Sequence, residues 1–203
     1  MIALFFEVQP KPDQIQTYLD LAAKLKPRLE ASGGCEFIDR FKSRAREGWL
    51  LSYQIWRDEA SLTRWRTNEA HHQVQNAGRN SVFLDYRLRI AQVVRQESPG
   101  KPAWQAQRLN IYNDPATRAP RFLCVIESDQ GSVAGQVLEY ESIYRPGQYA
   151  QLNAAESYAH ALDSSEQCLV NDGLLYRICE IEREYGMFDR AEAPTFYPAI
   201  ARS

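Results

Sequence analysis

The chain has 203 residues, 44% of them hydrophobic and 25% charged, and a formal net charge of −2. This composition is ordinary for a globular protein, and no basic stripe predicts a nucleic-acid partner. The apolar run at 2–8 is too short for a membrane span or a signal peptide. The four cysteines, Cys35, Cys124, Cys168 and Cys179, are widely spaced, as free thiols often are in a cytoplasmic protein. We therefore expect a cytoplasmic protein with two small domains or one larger one, no membrane association and no nucleic-acid partner.

The hydrophobic pattern of residues 1–96 predicts one unit, in the order strand, helix, two strands, helix and strand. The aromatic-rich run at 2–8 is typical of a strand, and apolar residues then recur at helical spacing from Asp13, the expected N-cap, to Gly33-Gly34. The other expected elements are strands at 35–43, 49–56 and 84–94 and a helix at 59–77 after Asp58. This order is the ferredoxin-like α+β arrangement, with both helices on one face of an antiparallel sheet. The other face needs a cover, because apolar surface left in water costs about 25 cal/mol per Å².

A similar pattern returns in residues 121–203, after a polar and proline-containing stretch at 97–120 that predicts a linker. The expected elements are strands at 122–128, 137–144, 149–156 and 174–184 and a helix at 157–170. Tyr176-Arg177-Ile178 repeats Tyr86-Arg87-Leu88, which indicates a degenerate internal duplication whose second copy has lost its first helix. The tail at 184–200 is expected to lie extended over the surface.

Several short motifs in residues 1–95 together carry a family resemblance. They are Trp56-Arg57-Asp58 at the end of the hairpin, Trp65, His71, Gly78-Arg79 and Phe83-Leu84-Asp85-Tyr86-Arg87, joined by a similar tail at 184–194. On these residues the chain resembles the antibiotic biosynthesis monooxygenase family of dimeric α/β-barrel proteins. The resemblance implies that two ferredoxin-like antiparallel sheets pair into a barrel. The partner sheet can come from the second half of the chain or from a second copy in a homodimer.

The resemblance also implies cofactor-independent oxidation of phenols, quinols or polycyclic aromatics by O₂. Trp56 and Trp65 have no counterparts in the second copy, which favours a pocket in the first. The expected partners are a small aromatic substrate and O₂, with no cofactor and no metal. The expected catalytic residues are His72, His71 and Asn68, and the expected substrate-binding residues are Trp65, Trp56, Tyr53, Asn76, Arg79 and Tyr86.

The second helix of the first half carries two adjacent histidines. At about 100° per residue, Trp65, Asn68, His72 and Asn76 share one stripe, whereas His71 points about 120° away from Trp65. Adjacent histidines diverge, and two metal ligands on one helix need a spacing of three or four residues. The pattern therefore argues against a metal site and favours a base beside an aromatic wall.

The chemistry of an aromatic pocket suits these residue types. Tryptophan rings provide flat apolar walls, and a neutral histidine can take a phenolic proton because its pKa lies near the working pH. Asn68 can hydrogen-bond the substrate oxygen, and Arg79 or Asn76 can stabilise the developing oxyanion. The resulting phenolate is electron-rich enough to reduce O₂ directly.

Other interpretations of the same residues stay open. Trp65 can be a core anchor of its helix, and the two histidines can simply form a polar helix end. A non-enzymatic role in binding a small hydrophobic ligand or in assembly is the main alternative. A haem-degrading subgroup shares the fold, with an Asn in the first strand and a His ten residues after the helix Trp. Here the strand has no Asn and position 75 is Gln75, which argues against haem degradation.

Overall fold

The computed structural model describes residues 1–98, 100–106, 122–131, 138–169 and 175–194, except for the side chains of 165–169. The strands are β1 Ile2–Pro10, β2 Cys35–Ser43, β3 Leu50–Trp56, β4 Phe83–Glu97, β5 Trp104–Gln105, β6 Phe122–Ser128, β7 Leu138–Ser142, β8 Tyr149–Ala155 and β9 Leu175–Gly186. The helices are α1 Ile15–Ser32, α2 Glu59–Arg66, α3 Glu69–Ala77 and α4 Tyr158–Leu169. A 3₁₀ turn at Pro12–Gln14 precedes α1, and a π-helical turn at Gly78–Val82 follows α3.

Eight of the strands close an antiparallel barrel within the single chain. Around the barrel the order is β1-β3-β2-β7-β8-β6-β9-β4, and β4 pairs back onto β1. Each half contributes the same ferredoxin-like arrangement, β4-β1-β3-β2 in the first and β9-β6-β8-β7 in the second. The halves join through the β4–β9 and β2–β7 pairs. The predicted tandem ferredoxin-like fold is confirmed, and the second half covers the sheet face that the first half leaves open.

Strand alternation divides the buried side chains between two environments. On β3, Leu51, Tyr53 and Ile55 enter the barrel interior, where the rings of Phe5 and Tyr53 stack with centroids 5.0 Å apart. The opposite face of β3 faces the helices, with Trp56 packed in the cluster under α2. The buried side chains of β3 therefore alternate between the two environments, because successive side chains in a strand point to opposite faces.

Several predicted boundaries of the helices and strands were wrong. Asp13 does not cap α1; it lies in the 3₁₀ turn, and Gln14 precedes the first residue of the helix. Asp58 does cap α2, since its Oδ1 accepts a hydrogen bond from the Ser61 amide at 2.7 Å. The helix expected at 59–77 is broken between α2 and α3, and β9 extends to Gly186, into the predicted tail.

Two other predictions depend in part on residues that the structure does not describe. The linker at 97–120 stays a prediction, because β4 ends at Glu97, β5 follows, and residues 107–121 lie outside the described part. Cys35, Cys124 and Cys179 are free thiols, whereas the side chain of Cys168 lies outside the described residues. Within the described ranges, no helix is long and apolar enough to cross a membrane.

A buried carboxylate ties the two halves together at one end of the barrel. Glu7 is fully buried on β1, and it accepts hydrogen bonds from Arg89 on β4 at 2.5 Å and from the Tyr140 hydroxyl on β7 at 2.6 Å. Arg46, in the turn between β2 and β3, also pairs with Glu7. Burial raises the pKa of Glu7, but the opposing effects of Arg89, Tyr140 and Arg46 prevail and hold it below its ordinary value.

We expect Glu7→Gln to lower the free energy of unfolding by about 3–5 kcal/mol, because it leaves the buried Arg89 charge uncompensated. Since the pKa of Glu7 is lowered in the folded state, its contribution is present at neutral pH and is lost as the pH falls through that pKa. Urea denaturation of both proteins from neutral to acidic pH measures both effects. Glu30→Gln, in an exposed pair with Lys26, is the control and should change stability by about 0.5 kcal/mol or less. A Glu7→Gln protein as stable as the wild type would contradict this role.

Candidate active site

A cavity of about 460 Å³ lies between the outer face of the first-half sheet and helices α1, α2 and α3. This volume is within the range of about 300–1,000 Å³ that is typical of small-molecule sites. Its apolar wall includes Leu4, Phe6, Leu25, Leu62, Leu88 and Ile90. Five of the predicted site residues also line it: Trp65, His71, His72, Arg79 and Tyr86. The cavity is in the first half, where the pocket was expected.

The break between α2 and α3 decides which histidine faces Trp65. Asn68 is the N-cap of α3, and its Oδ1 accepts hydrogen bonds from the amides of Ala70 at 3.1 Å and His71 at 3.3 Å. A constant 100° step per residue therefore does not hold from Trp65 to the histidines. The predicted stripe of Trp65, Asn68, His72 and Asn76 is wrong, because the helix is broken at the cap and His71 stacks on Trp65.

His71 stacks on the ring of Trp65, with centroids 4.5 Å apart and an angle of 17° between the planes. Its Nδ1 is 3.0 Å from the backbone carbonyl oxygen of Trp65. A carbonyl oxygen only accepts, so this contact assigns the proton to Nδ1 and leaves Nε2 of the neutral ring as an acceptor. Burial lowers the pKa of His71 to about 4, although the hydrogen bond to Trp65 opposes the shift and His72 adds to it. His71 is therefore a neutral imidazole with a defined tautomer at physiological pH.

Two predicted substrate-binding residues lie outside the pocket lining. Trp56 is fully buried, and its Nε1 donates to Oε1 of Gln54 at 2.9 Å, so it is a core residue beneath the pocket. Tyr53 points into the barrel on the other side of the sheet, where its hydroxyl accepts from Nη1 of Arg177 at 2.8 Å. The period of two along β3 separates these side chains, so they cannot form one wall.

The other polar residues predicted for the site in this region also lie in different surroundings. Asn68 uses its side-chain oxygen to cap the helix, and Asn76 is exposed and does not line the cavity. His72 is exposed but does line the cavity, which places it at the mouth. Of the two histidines, His71 is thus the one held inside the pocket.

Residues from the second half complete the other end of the pocket. The Tyr86 hydroxyl accepts a hydrogen bond from Nη1 of Arg190 at 2.7 Å, and the Arg190 guanidinium lies 4.9 Å from the centroid of the Tyr185 ring. Burial raises the pKa of Tyr86, and the positive charges of Arg190 and Arg79 oppose that shift. Tyr185, Arg190 and Pro194 all line the cavity. The tail that we expected on the surface therefore covers the pocket as far as 194, and residues 195–200 lie outside the described part.

The π-helical turn positions Arg79 by a close approach to Phe83. A Cβ atom at Gly78 would lie 2.5 Å from the Phe83 ring, so the turn requires glycine at this position. Arg79, the next residue, is buried at the edge of the cavity. The Gly78-Arg79 motif thus has a structural reason in this fold.

The comparisons with known proteins identify the family. Residues 1–77 match the family described as antibiotic biosynthesis monooxygenase. "Jasmonate monooxygenase ABM" from Pyricularia oryzae is 32% identical over 228 aligned positions, which cover 98% of this chain and 99% of the relative. The chain belongs to the antibiotic biosynthesis monooxygenase family. It is therefore a monooxygenase, a class of enzyme whose reactants are O₂ and a small-molecule substrate.

Several solved structures align with this chain at low identity. A crystal structure of an antibiotic biosynthesis monooxygenase aligns with a TM-score of 0.42 at 19% identity, over 46% of this chain and 99% of that chain. An anthrone oxidase-like protein aligns with a TM-score of 0.36 at 9% identity, over 95% of this chain and 96% of that chain.

Among the described residues of this family member, no group of three or more His, Cys, Asp or Glu side chains could hold a metal ion.

We expect His71 to titrate with a pKa of about 4 and to carry its proton on Nδ1 when neutral. Because the folded-state pKa is lowered, the unfolded chain binds more protons between about pH 6.5 and 4, and stability falls as the pH decreases through that window. Long-range ¹⁵N correlation spectra at several pH values report both the pKa and the tautomer. His71→Gln assigns the resonance and should remove this part of the acid sensitivity. A proton on Nε2, or a pKa near 6.5, would contradict the assignment.

Proposed function

We propose that this family member is a cofactor-independent monooxygenase that oxidises a phenolic, quinol or polycyclic aromatic small molecule with O₂. The supporting observation is the neutral His71, which stacks on Trp65 and lines the cavity, with its Nε2 left as an acceptor. A base beside a flat aromatic wall suits a planar substrate that must lose a hydroxyl proton.

The proposed reaction starts with proton transfer from the substrate hydroxyl to Nε2 of His71. The phenolate then gives one electron to O₂, and the phenoxyl radical and superoxide combine at a ring carbon to form a hydroperoxide. Cleavage of the O–O bond leaves one oxygen on that carbon as a carbonyl and releases the other as water. The two hydrogens of this water are the hydroxyl proton, returned by His71, and the hydrogen of the oxidised ring carbon. The substrate supplies all four electrons, since a phenol and O₂ give a quinone and water, so no external reductant is needed.

The surroundings of His71 determine when its ring can take up a second proton. Burial disfavours the imidazolium form of His71, so the ring holds a second proton only when the substrate anion lies beside it. Arg79 lines the same cavity and provides positive charge for the oxyanion. Charge stabilisation at a desolvated site is a large contribution in such reactions.

The name of the Pyricularia oryzae relative adds a second substrate candidate. That protein is named for jasmonate, and the apolar wall of this cavity also suits a small alicyclic molecule. Jasmonate therefore belongs in the substrate panel beside the quinols and hydroxylated polycyclic aromatics.

We expect metal-stripped protein to consume O₂ with at least one quinol or hydroxylated aromatic substrate of the panel. His71→Ala should lower kcat by about 10²–10⁴-fold, the usual effect of removing a general base, and Trp65→Phe should lower kcat/KM through the loss of stacking area. His72→Ala is the matched control, because it removes the neighbouring imidazole at the pocket mouth, and it should change kcat by about threefold or less. With ¹⁸O₂, one labelled oxygen should appear in the product and one in water.

Two outcomes would contradict this proposal in different ways. If His72→Ala abolishes O₂ uptake and His71→Ala does not, the reaction uses the other histidine. If uptake equals the protein-free blank while the same compounds raise Tm, the cavity binds ligands without oxidising them. That second outcome would support the non-enzymatic alternative.

A further inference from the structure

The pocket spans two apolar clusters, and a tyrosine–arginine pair lies at one of them. Trp65 belongs to an apolar cluster beneath α2, and His71 stacks on it. Tyr86 belongs to a separate apolar cluster with Tyr18 and Val82, beneath α1 and the π-helical turn. The cavity is lined by both clusters. A substrate with its ring against Trp65 therefore extends towards Tyr86.

The charged side chains that line this pocket are mostly cations. The cationic side chains are Lys26, Arg40, Arg66, Arg79, Arg183 and Arg190. Among the described residues, Glu59 is the single carboxylate in the lining. Glu59 itself pairs with Arg183. A partly enclosed cavity with this charge balance attracts an anion and disfavours a cation.

The Tyr86 hydroxyl accepts one hydrogen bond and still has a proton to donate. It accepts from Arg190 at 2.7 Å, so its own proton is available for a group inside the cavity. Arg190 also donates to the carbonyl oxygen of Gly186 at 3.2 Å and lies over the ring of Tyr185. The phenol and the guanidinium thus form one hydrogen-bonded polar group, which lines the cavity and comes from both halves of the chain.

We propose that the substrate of this pocket carries a carboxylate, which Arg190 and Tyr86 bind at the end opposite His71. The proposal rests on the proposed function for the position of the ring and adds the chemical class of the substrate. A guanidinium is suited to the two oxygens of a carboxylate, and hydrogen bonds to charged groups are stronger than neutral ones. The second half of the chain, which supplies Arg190 and Tyr185, would then determine specificity.

Isothermal titration calorimetry with 6-hydroxy-2-naphthoate and its methyl ester tests this proposal, and we expect the acid to bind about tenfold more tightly or better. The two probes share the ring and the hydroxyl group and differ in the charge. Arg190→Gln should remove most of the difference and leave the affinity for the ester unchanged. Arg190→Lys should retain part of it, since the charge remains and the planar fork is lost. Arg57→Gln is the matched control, because Arg57 is exposed and lies outside the cavity lining.

Equal affinity of the wild type for acid and ester, or no binding of the acid, would overturn the carboxylate proposal. Equal weakening of both probes by Arg190→Gln would also overturn it, because Arg190 would then act by packing alone. O₂ uptake with uncharged quinols tests the proposed function separately. Uptake with no preference for the acid would leave the monooxygenase reaction standing and refute only the carboxylate site.

Discussion

The barrel depends on buried ion pairs that join its two halves. On one side, Glu7 accepts from Arg89 of its own half and from Tyr140 of the other. On the opposite side, Arg177 of the second half pairs with Glu127 and donates to Tyr53 of the first half. The two clusters occupy equivalent positions in the two halves. In the first half, the strand partner of Arg89 is the residue two before Glu7. In the second half, the strand partner of Arg177 is the residue two before Glu127. Such buried charges are costly unless every partner is in place, so each cluster requires both halves and fixes their register.

Closure within one chain allows the two halves to differ. A symmetric pair of sheets would place equal helices and equal pockets on both outer faces, but here only residues 129–137 separate β6 from β7, where the first half has α1 between β1 and β2. The pocket described here lies on the first half, between its sheet and α1, α2 and α3. The second half contributes residues near its C-terminal end to this pocket. Because β9 pairs with β4, Tyr185 and Arg190 lie close to Tyr86.

The strands could be predicted from the sequence because hydrophobic alternation is a local signal, and β2 was predicted at its observed bounds. The arrangement of the site could not, because it depends on one cap and on contacts across the barrel. Asn68 followed by Glu69 is a common helix start, and this signal could have revealed the break before His71. The alternation of β3 already placed Tyr53 and Trp56 on opposite faces, so it excluded a wall made of both. No local pattern connects Arg190 with Tyr86, since 104 residues separate them.

The helix break links the fold to the chemistry of His71. In a continuous helix the carbonyl oxygen of Trp65 would accept from the amide of Glu69, four residues on. Because Asn68 starts a new helix instead, that carbonyl accepts from the His71 ring at 3.0 Å and from the Asn68 amide at 3.1 Å. The backbone group released by the break therefore holds the imidazole ring flat on the indole and keeps the proton on Nδ1. A change that restored a continuous helix would remove this acceptor, so the orientation of the base depends on the capping side chain of Asn68 as much as on the histidine itself.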